Sequence, residues 1–158
     1  MKKKIAILGS TGSIGTTTFN IIKKNKNEFD VILLTTNKNI KKILAQSIEL
    51  KVKNIIVSSE PHYLKVKKKL KNKNIKVYNN LNELNKILKN KVDYTMCCIT
   101  GLPGLKSTLD SIKFSKKIAI ANKESIICAW SLIKKKLTQY KTDFIPIDSE
   151  HFSIWSLL

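Results

Sequence analysis

An α/β fold with one doubly wound, mainly parallel sheet and helices on both faces is predicted by three features of the 158-residue sequence. Strand-like and helix-like stretches alternate along the chain with short connections, the pattern of repeated β-α-β units. Several strand-like stretches are continuous apolar runs, Ile32-Leu33-Leu34 and Met96-Cys97-Cys98-Ile99 among them, as expected when helices cover both faces of a parallel sheet. The chain also opens on a short apolar run leading directly into Gly9-Ser10-Thr11-Gly12-Ser13-Ile14-Gly15, a glycine-rich turn placed where a strand passes into a helix.

Taken in order, Lys4–Leu8 reads as a buried strand. Ser13–Lys24 reads as the first helix, with Ile14, Thr17, Thr18, Ile21 and Ile22 at helical spacing. Further strands are predicted at Asp30–Thr36, Asn54–Ser58, Ile75–Tyr78, Val92–Ile99, Lys117–Ala121 and Phe144–Ile147. Further helices are predicted at Ile40–Lys51, Glu60–Leu70, Leu81–Lys89, Gly104–Phe114 and Glu124–Gln139. This succession is Rossmann-like, and in such a sheet ligands lie along the carboxyl ends of the strands.

Composition narrows the class further. The length is that of one domain with a real core, and the hydrophobic fraction of 42% is ordinary. No apolar run reaches the roughly 18 residues of a membrane helix, and the N-terminal apolar run is too short for a signal peptide. Cys97 and Cys98 are adjacent and Cys128 stands apart, which fits neither a disulfide framework nor a Cys-x-x-Cys metal site. The expected location is therefore the reducing cytoplasm, with no membrane partner. The net charge of +19 points toward polyanions, but all 30 basic residues are lysine, whereas arginine is the usual bidentate reader of bases and phosphates. Runs such as Lys67-Lys68-Lys69 and Lys134-Lys135-Lys136 lack interleaved aromatics and read as solvated helix faces. No nucleic-acid partner is expected.

Four segments following predicted strands carry the chemistry. In the glycine turn the backbone can approach a ligand closely, and the start of the helix favours a pyrophosphate; the same turn could also bind nothing. After the second strand comes Thr35-Thr36-Asn37-Lys38-Asn39, with a lysine and two amides where an acidic residue would hold the ribose 2′-OH of NAD. That choice suits the 2′-phosphate of NADP. Alternatively, Asn39 is a helix cap and Asn37 a left-handed turn residue. Third is Ala121-Asn122-Lys123-Glu124-Ser125, an amide, an ammonium and a carboxylate able to grip a nicotinamide ribose and an anionic substrate, or simply a capped helix start. Fourth is Pro146-Ile147-Asp148-Ser149-Glu150-His151. Its two carboxylates, one residue apart in an extended segment, suit a hard divalent cation; a helix cap with acidic first-turn residues is the other reading.

The four segments, in this order and spacing, resemble the 1-deoxy-D-xylulose 5-phosphate reductoisomerase family over the whole chain. The resemblance implies that Thr11, Gly12, Ser13 and Ile14 hold NADPH, with Asn37, Lys38 and Asn39 as its second contact segment and Asn122 and Glu124 as further contacts. It implies substrate contacts at Lys123, Ser149 and Glu150, and Mg²⁺ or Mn²⁺ ligands at Asp148 and Glu150. Position 37 is usually glycine in the family, and Asn is the residue best able to replace a left-handed glycine. The implied reaction is a metal-assisted rearrangement of a ketose phosphate to a branched aldehyde, which NADPH reduces to 2-C-methyl-D-erythritol 4-phosphate in non-mevalonate isoprenoid synthesis.

Residues 1–147 are accordingly expected to form the NADPH-binding domain and 148–158 the start of a metal-binding catalytic domain. Family members are well over twice as long and homodimeric, and their downstream domain supplies the remaining metal-binding carboxylate and the substrate-phosphate pocket. The 158 residues alone are therefore expected to bind NADPH without turnover. Phe152, Trp155 and Leu157 or Leu158 form an apolar stripe at helical spacing that is expected to pack against further structure or promote association.

Overall fold

The computed structural model describes residues 1–71, 74–147, 153, 156 and 157. The chain runs β1 (Lys3–Leu8), α1 (Ser13–Lys24), β2 (Phe29–Thr36), α2 (Ile40–Glu49), β3 (Asn54–Val57), α3 (Glu60–Lys69) and β4 (Lys76–Tyr78). It continues through a 3₁₀ turn (Leu81–Glu83), α4 (Leu84–Ile87), β5 (Val92–Cys97), α5 (Leu102–Ser111), a second 3₁₀ turn (Ile112–Phe114), β6 (Ser115–Ile120), α6 (Lys123–Tyr140) and β7 (Asp143–Pro146). The strands form one sheet in the order β4-β3-β2-β1-β5-β6-β7, with every pairing parallel. The chain thus winds outward from β1 to β4 and returns to the other side of β1 at β5. That reversal opens a crevice at the carboxyl ends of β1 and β5.

Alternation along the strands divides the core into two layers. Ile5 and Ile7 of β1 and Ile55 and Val57 of β3 pack with Ile22, Ile43 and Val66, so α1, α2 and α3 cover one face. Ala6, Leu8, Ile56, Ile118 and Ile120 pack with Leu84, Ile126, Ile133 and Leu137, so α4 and α6 lie on the other, with Leu105 and Leu109 of α5 against them. In β2, Val31 pairs with Ile5 while Leu33 pairs with Ala6. Ile32 is the extra residue of a bulge, and beyond it the alternation of β2 is reset, so that Val31 and Leu34 share a face.

The predicted elements recur with ends displaced by at most three residues, and α1 with none, except the fourth helix. Leu81–Lys89 is not one helix but a capped 3₁₀ turn followed by four helical residues. Asn80 Oδ1 accepts the N–H of Asn82, an Asn cap that starts the tight turn, and the Asn82 side chain reaches away to accept from Lys106. Buried Leu84 and Leu88 hold the segment to the core instead. Helix α5 starts at Leu102, two residues before the expected Gly104, because Pro103 is well suited to a first turn. Lys67, Lys68 and Lys69 are exposed on α3, as are Lys134 and Lys135 on α6. Asp148, Ser149, Glu150, Phe152, Trp155 and Leu158 lie outside the described residues; Leu157 is exposed. Among the described residues, no helix is long and apolar enough to cross a membrane.

Asp93 ties three strands at the amino edge of the sheet. Its Oδ2 accepts the Lys4 N–H at 2.8 Å and its Oδ1 the Lys116 ammonium at 2.8 Å. The Lys116 contact first, and the Lys4 N–H second, hold the carboxyl below the usual range. A depressed carboxyl contributes stability above its unfolded pKa of about 3.9 and loses it as pH falls through the folded value. Asp93→Asn should therefore be less stable than wild type at pH 6, with the difference narrowing toward pH 3. Urea unfolding at both pH values measures this, and a constant difference would remove the carboxylate's charge as the cause.

Candidate functional site

At the end of β1 the chain turns at Gly9, whose φ of +80° lies where glycine is favoured. A Cβ at this position would fall 2.9 Å from Ile99 Cγ1 and 3.0 Å from the Cys98 carbonyl oxygen. Gly15 is more tightly constrained: its Cβ would lie 2.2 Å from the Gly9 carbonyl oxygen and 2.7 Å from Ser10 Cα. The first turn of α1 therefore rests directly on the backbone that precedes it. Gly12 differs, because the nearest atom to its Cβ position is the Gly9 carbonyl oxygen at an ordinary 3.5 Å. Its missing side chain leaves the helix start bare.

Side chains from β2 and α2 lock this turn. Thr35 Oγ1 accepts the Gly9 N–H at 2.8 Å, and the Thr35 carbonyl accepts the Ser10 N–H at 2.9 Å. The Ser10 hydroxyl donates to Gln46 Oε1 at 2.8 Å, and Gln46 Nε2 donates back to the Ser10 carbonyl at 2.9 Å; both residues are buried. The Thr11 and Thr36 hydroxyls lie 2.7 Å apart, and Lys42 Nζ donates to the Thr11 carbonyl at 3.0 Å. Sequence reasoning passes over Gln46 and Lys42. For Gln46 the available signal is an amide on the buried stripe of an amphipathic helix.

Helix α1 has neither a side-chain cap nor an acidic residue in its first turn. In contrast, Asn39 Oδ1 accepts the Lys42 N–H at 3.1 Å on α2, and Asn122 Oδ1 accepts the Ser125 N–H at 3.1 Å on α6. By helix geometry the N–H groups of Ser13 and Ile14 have no intrahelical acceptor, and the positive end of the dipole adds to them. Beside this helix start is a cleft of about 420 Å³ lined by Gly9, Thr11, Gly12, Thr36, Asn37 and Ile99, among others. Such an arrangement is equipped to bind an anion.

Of the residues singled out in the sequence, Thr11, Gly12 and Asn37 line the cleft, and Ser13 and Ile14 open α1 beside it. Lys38 and Asn39 are exposed just beyond Asn37. Of the two readings of this segment, the one with Asn37 as a left-handed turn residue is not met: among the described non-glycine residues only Lys51 and Lys141 have positive φ. The segment passes from β2 to the Asn39 cap without one, so a side chain at 37 brings no left-handed strain. Asn122 is buried, while Lys123 and Glu124 are exposed in the first turn of α6. None of these three lines the cleft; the link is Asn122, whose amide bonds to the Ile99 carbonyl. The Asp148, Ser149 and Glu150 expectations lie outside the described residues. Among those described, no group of three or more His, Cys, Asp or Glu residues could hold a metal ion.

The strand order and the crevice at its reversal are those of the doubly wound α/β class to which dinucleotide-binding domains belong. The family model for 1-deoxy-D-xylulose 5-phosphate reductoisomerase matches residues 5–130; the chain belongs to this family. A relative from Pelagibacter ubique is 60% identical over 99% of the chain, which spans 41% of that relative. The Zymomonas mobilis reductoisomerase solved in complex with NADPH superposes with a TM-score of 0.92 at 31% identity, covering 100% of this chain and 42% of that one. A reductoisomerase solved with NADPH, fosmidomycin and magnesium gives a TM-score of 0.90 at 33% identity, covering 99% of this chain and 39% of that one.

Burial disfavours the thiolate form of Cys97 and Cys98. Burial pushes the Cys97 thiol up to about 11. Burial first, and neighbouring Cys97 second, push Cys98, which borders the cleft, up to about 12. Cys128 is exposed on α6. Titration of the folded chain with an aromatic disulfide at pH 8 should show one fast thiol, with the other two reacting only on unfolding. A second fast thiol would mean that Cys98 is open to solvent from the cleft.

Proposed function

We propose that the chain is the NADPH-binding part of a 1-deoxy-D-xylulose 5-phosphate reductoisomerase, an oxidoreductase that isomerises this sugar phosphate and reduces it to 2-C-methyl-D-erythritol 4-phosphate. The observation that carries the reading is the bare, uncapped and acid-free start of α1 at the mouth of the cleft. It fits a pyrophosphate, because the Gly12 side of the turn is uncrowded and the N–H groups of Ser13 and Ile14 have no intrahelical acceptor. The NADPH complex of the Zymomonas mobilis relative supports the same assignment.

In this reading the backbone of Thr11, Gly12, Ser13 and Ile14 holds the pyrophosphate. Asn37, Lys38 and Asn39 take the adenosine ribose and its 2′-phosphate, and Lys42, anchored on the Thr11 carbonyl, adds a second ammonium nearby. Asn122 and Glu124 belong to the nicotinamide side and Lys123 to the substrate. Asp148 and Glu150 are the proposed ligands of Mg²⁺ or Mn²⁺, and Ser149 and Glu150 the proposed substrate contacts, a reading supported by the relative solved with magnesium. When bound, NADPH supplies the hydride and the divalent ion a Lewis acid. The chain's own part is to orient the dinucleotide along the strand ends.

We place the boundary between this cofactor domain and the start of the metal-binding domain at 147/148. Activity and homodimerisation are proposed for a protein of the relatives' length, and dinucleotide binding for these 158 residues, in the cytoplasm and without nucleic acid. Calorimetric titration of the chain with NADPH and NADH tests the reading. NADPH should bind about tenfold or more tighter, the size of one charge-assisted contact, and Lys38→Ala should shrink that preference. Equal affinities in the wild type would remove the 2′-phosphate role from the Lys38 segment, and no binding of either would overturn the cofactor assignment.

A further inference from the structure

Both amide donors and the carbonyl acceptor of Asn122 are engaged inside the protein. Its Nδ2 donates to the carbonyls of Ile99 at 2.9 Å and Gly101 at 2.7 Å. Its Oδ1 accepts the Ser125 N–H at 3.1 Å, and the residue is 2% exposed. An amide side chain has two donors and one acceptor oxygen, and here each has a partner. Space for this arrangement depends on Gly104, where a Cβ would lie 2.2 Å from Asn122 Nδ2 and 2.2 Å from the Ile99 carbonyl oxygen.

The bonds join two elements that are distant in sequence. One is the loop leaving β5, where Ile99 and Thr100 line the cleft and Gly101 holds a φ of +70°. The other is the start of α6, which carries Lys123 and Glu124. An N-cap alone needs only the side-chain oxygen, which Ser or Asp provides equally well. Two donors aimed at carbonyls of another loop are not part of that role. On the opposite side of the cleft, Thr35 and Gln46 lock the glycine turn without using any of these groups.

We propose that Asn122 is a positioning residue for the nicotinamide half of the cleft: its side chain fixes the 99–101 loop against the start of α6 and acts on the cofactor through that loop. The inference rests on the reading that the cleft takes NADPH. In this fold the adenosine lies at the β2 side and the second mononucleotide half across the switch point, on the β5 side. The effect of breaking the brace is therefore confined to the nicotinamide half.

The test is calorimetry on the 158-residue chain with two probes, NADPH and adenosine 2′,5′-bisphosphate, which represents the adenosine half alone. Asn122→Asp keeps the cap acceptor but sets a carboxylate against two carbonyls; Asn122→Ser keeps the cap and removes the donors. Each variant should bind NADPH about tenfold or more weakly and the bisphosphate with wild-type affinity. Gly104→Ala, which pushes on the same contacts, should reproduce the split. If Asn122→Asp does not fold by circular dichroism, Asn122→Ser carries the test. Unchanged NADPH affinity overturns the proposal, as does equal weakening of both probes or failure of both Asn122 variants to fold, since those outcomes describe a general structural role. A wild-type chain that binds neither probe instead overturns the cofactor reading on which the brace depends.

Discussion

The close seat of α1 on the end of β1 is the contact on which the carboxyl edge of the sheet depends. A methyl group at Gly15 would stand 2.2 Å from the Gly9 carbonyl oxygen, so the helix begins where only a glycine permits. That position, between β2 and β5, points the start of the helix at the crevice left by the reversal of strand order. A helix dipole contributes about 0.3–1 kcal/mol to an anion, and up to about 2 in partly buried geometry. A micromolar ligand requires about 8 kcal/mol. The helix start alone therefore selects the place for a phosphate but does not supply the affinity, which must come from several N–H contacts, nearby ammonium groups and burial of the rings along the cleft.

Those additional contacts work only if the cleft walls are already in position, because ordering a loop on binding lowers affinity. The two walls are braced by different buried polar groups. Thr35 and the reciprocal Ser10–Gln46 pair hold the glycine turn against β2 and α2, whereas Asn122 holds the β5 exit against α6. Each set is internally satisfied, as buried polar groups must be if they are to rigidify a structure. They share no residue, and the central β1–β5 pairing stands between them. The two walls of the cleft are thus held by separate networks.

Much of this was legible in the sequence because it is written in local patterns. The apolar runs of β1, β2 and β5 and the helical spacing from Ser13 onward report their own burial, and the glycines announce close approach. The fourth helix was not legible: Leu81, Leu84 and Leu88 carry the helical period, while the capping by Asn80 that shortens the segment lies outside any hydrophobic pattern. The alternative reading of Asn37 as a left-handed turn residue was not met either, because a residue's tolerance for positive φ does not mean that the chain demands it. At the site, the glycine turn and Asn39 and Asn122 as caps were visible from residue type and spacing. Gln46, Lys42 and the second role of Asn122 were not, since their partners are 36, 31 and 21 to 23 residues away. Only the sheet order brings them together.

The charge of the chain bears on the same cleft in a way that composition alone obscures. With a screening length of about 8 Å at physiological ionic strength, the lysines exposed on α3 and along α6 can raise the local concentration of an anion but cannot hold one. Contact falls to ammonium groups at the cleft itself, and Lys42, tied to the Thr11 carbonyl, is the one whose position the turn fixes. An ammonium is a point charge with rotatable donors, without the planar fork through which arginine dictates the orientation of a phosphate. In a chain with no arginine, a phosphate at the start of α1 must therefore take much of its orientation from backbone N–H groups. That requirement leads back to the glycines, because a turn that dictates geometry through its backbone tolerates very little displacement of α1 from β1.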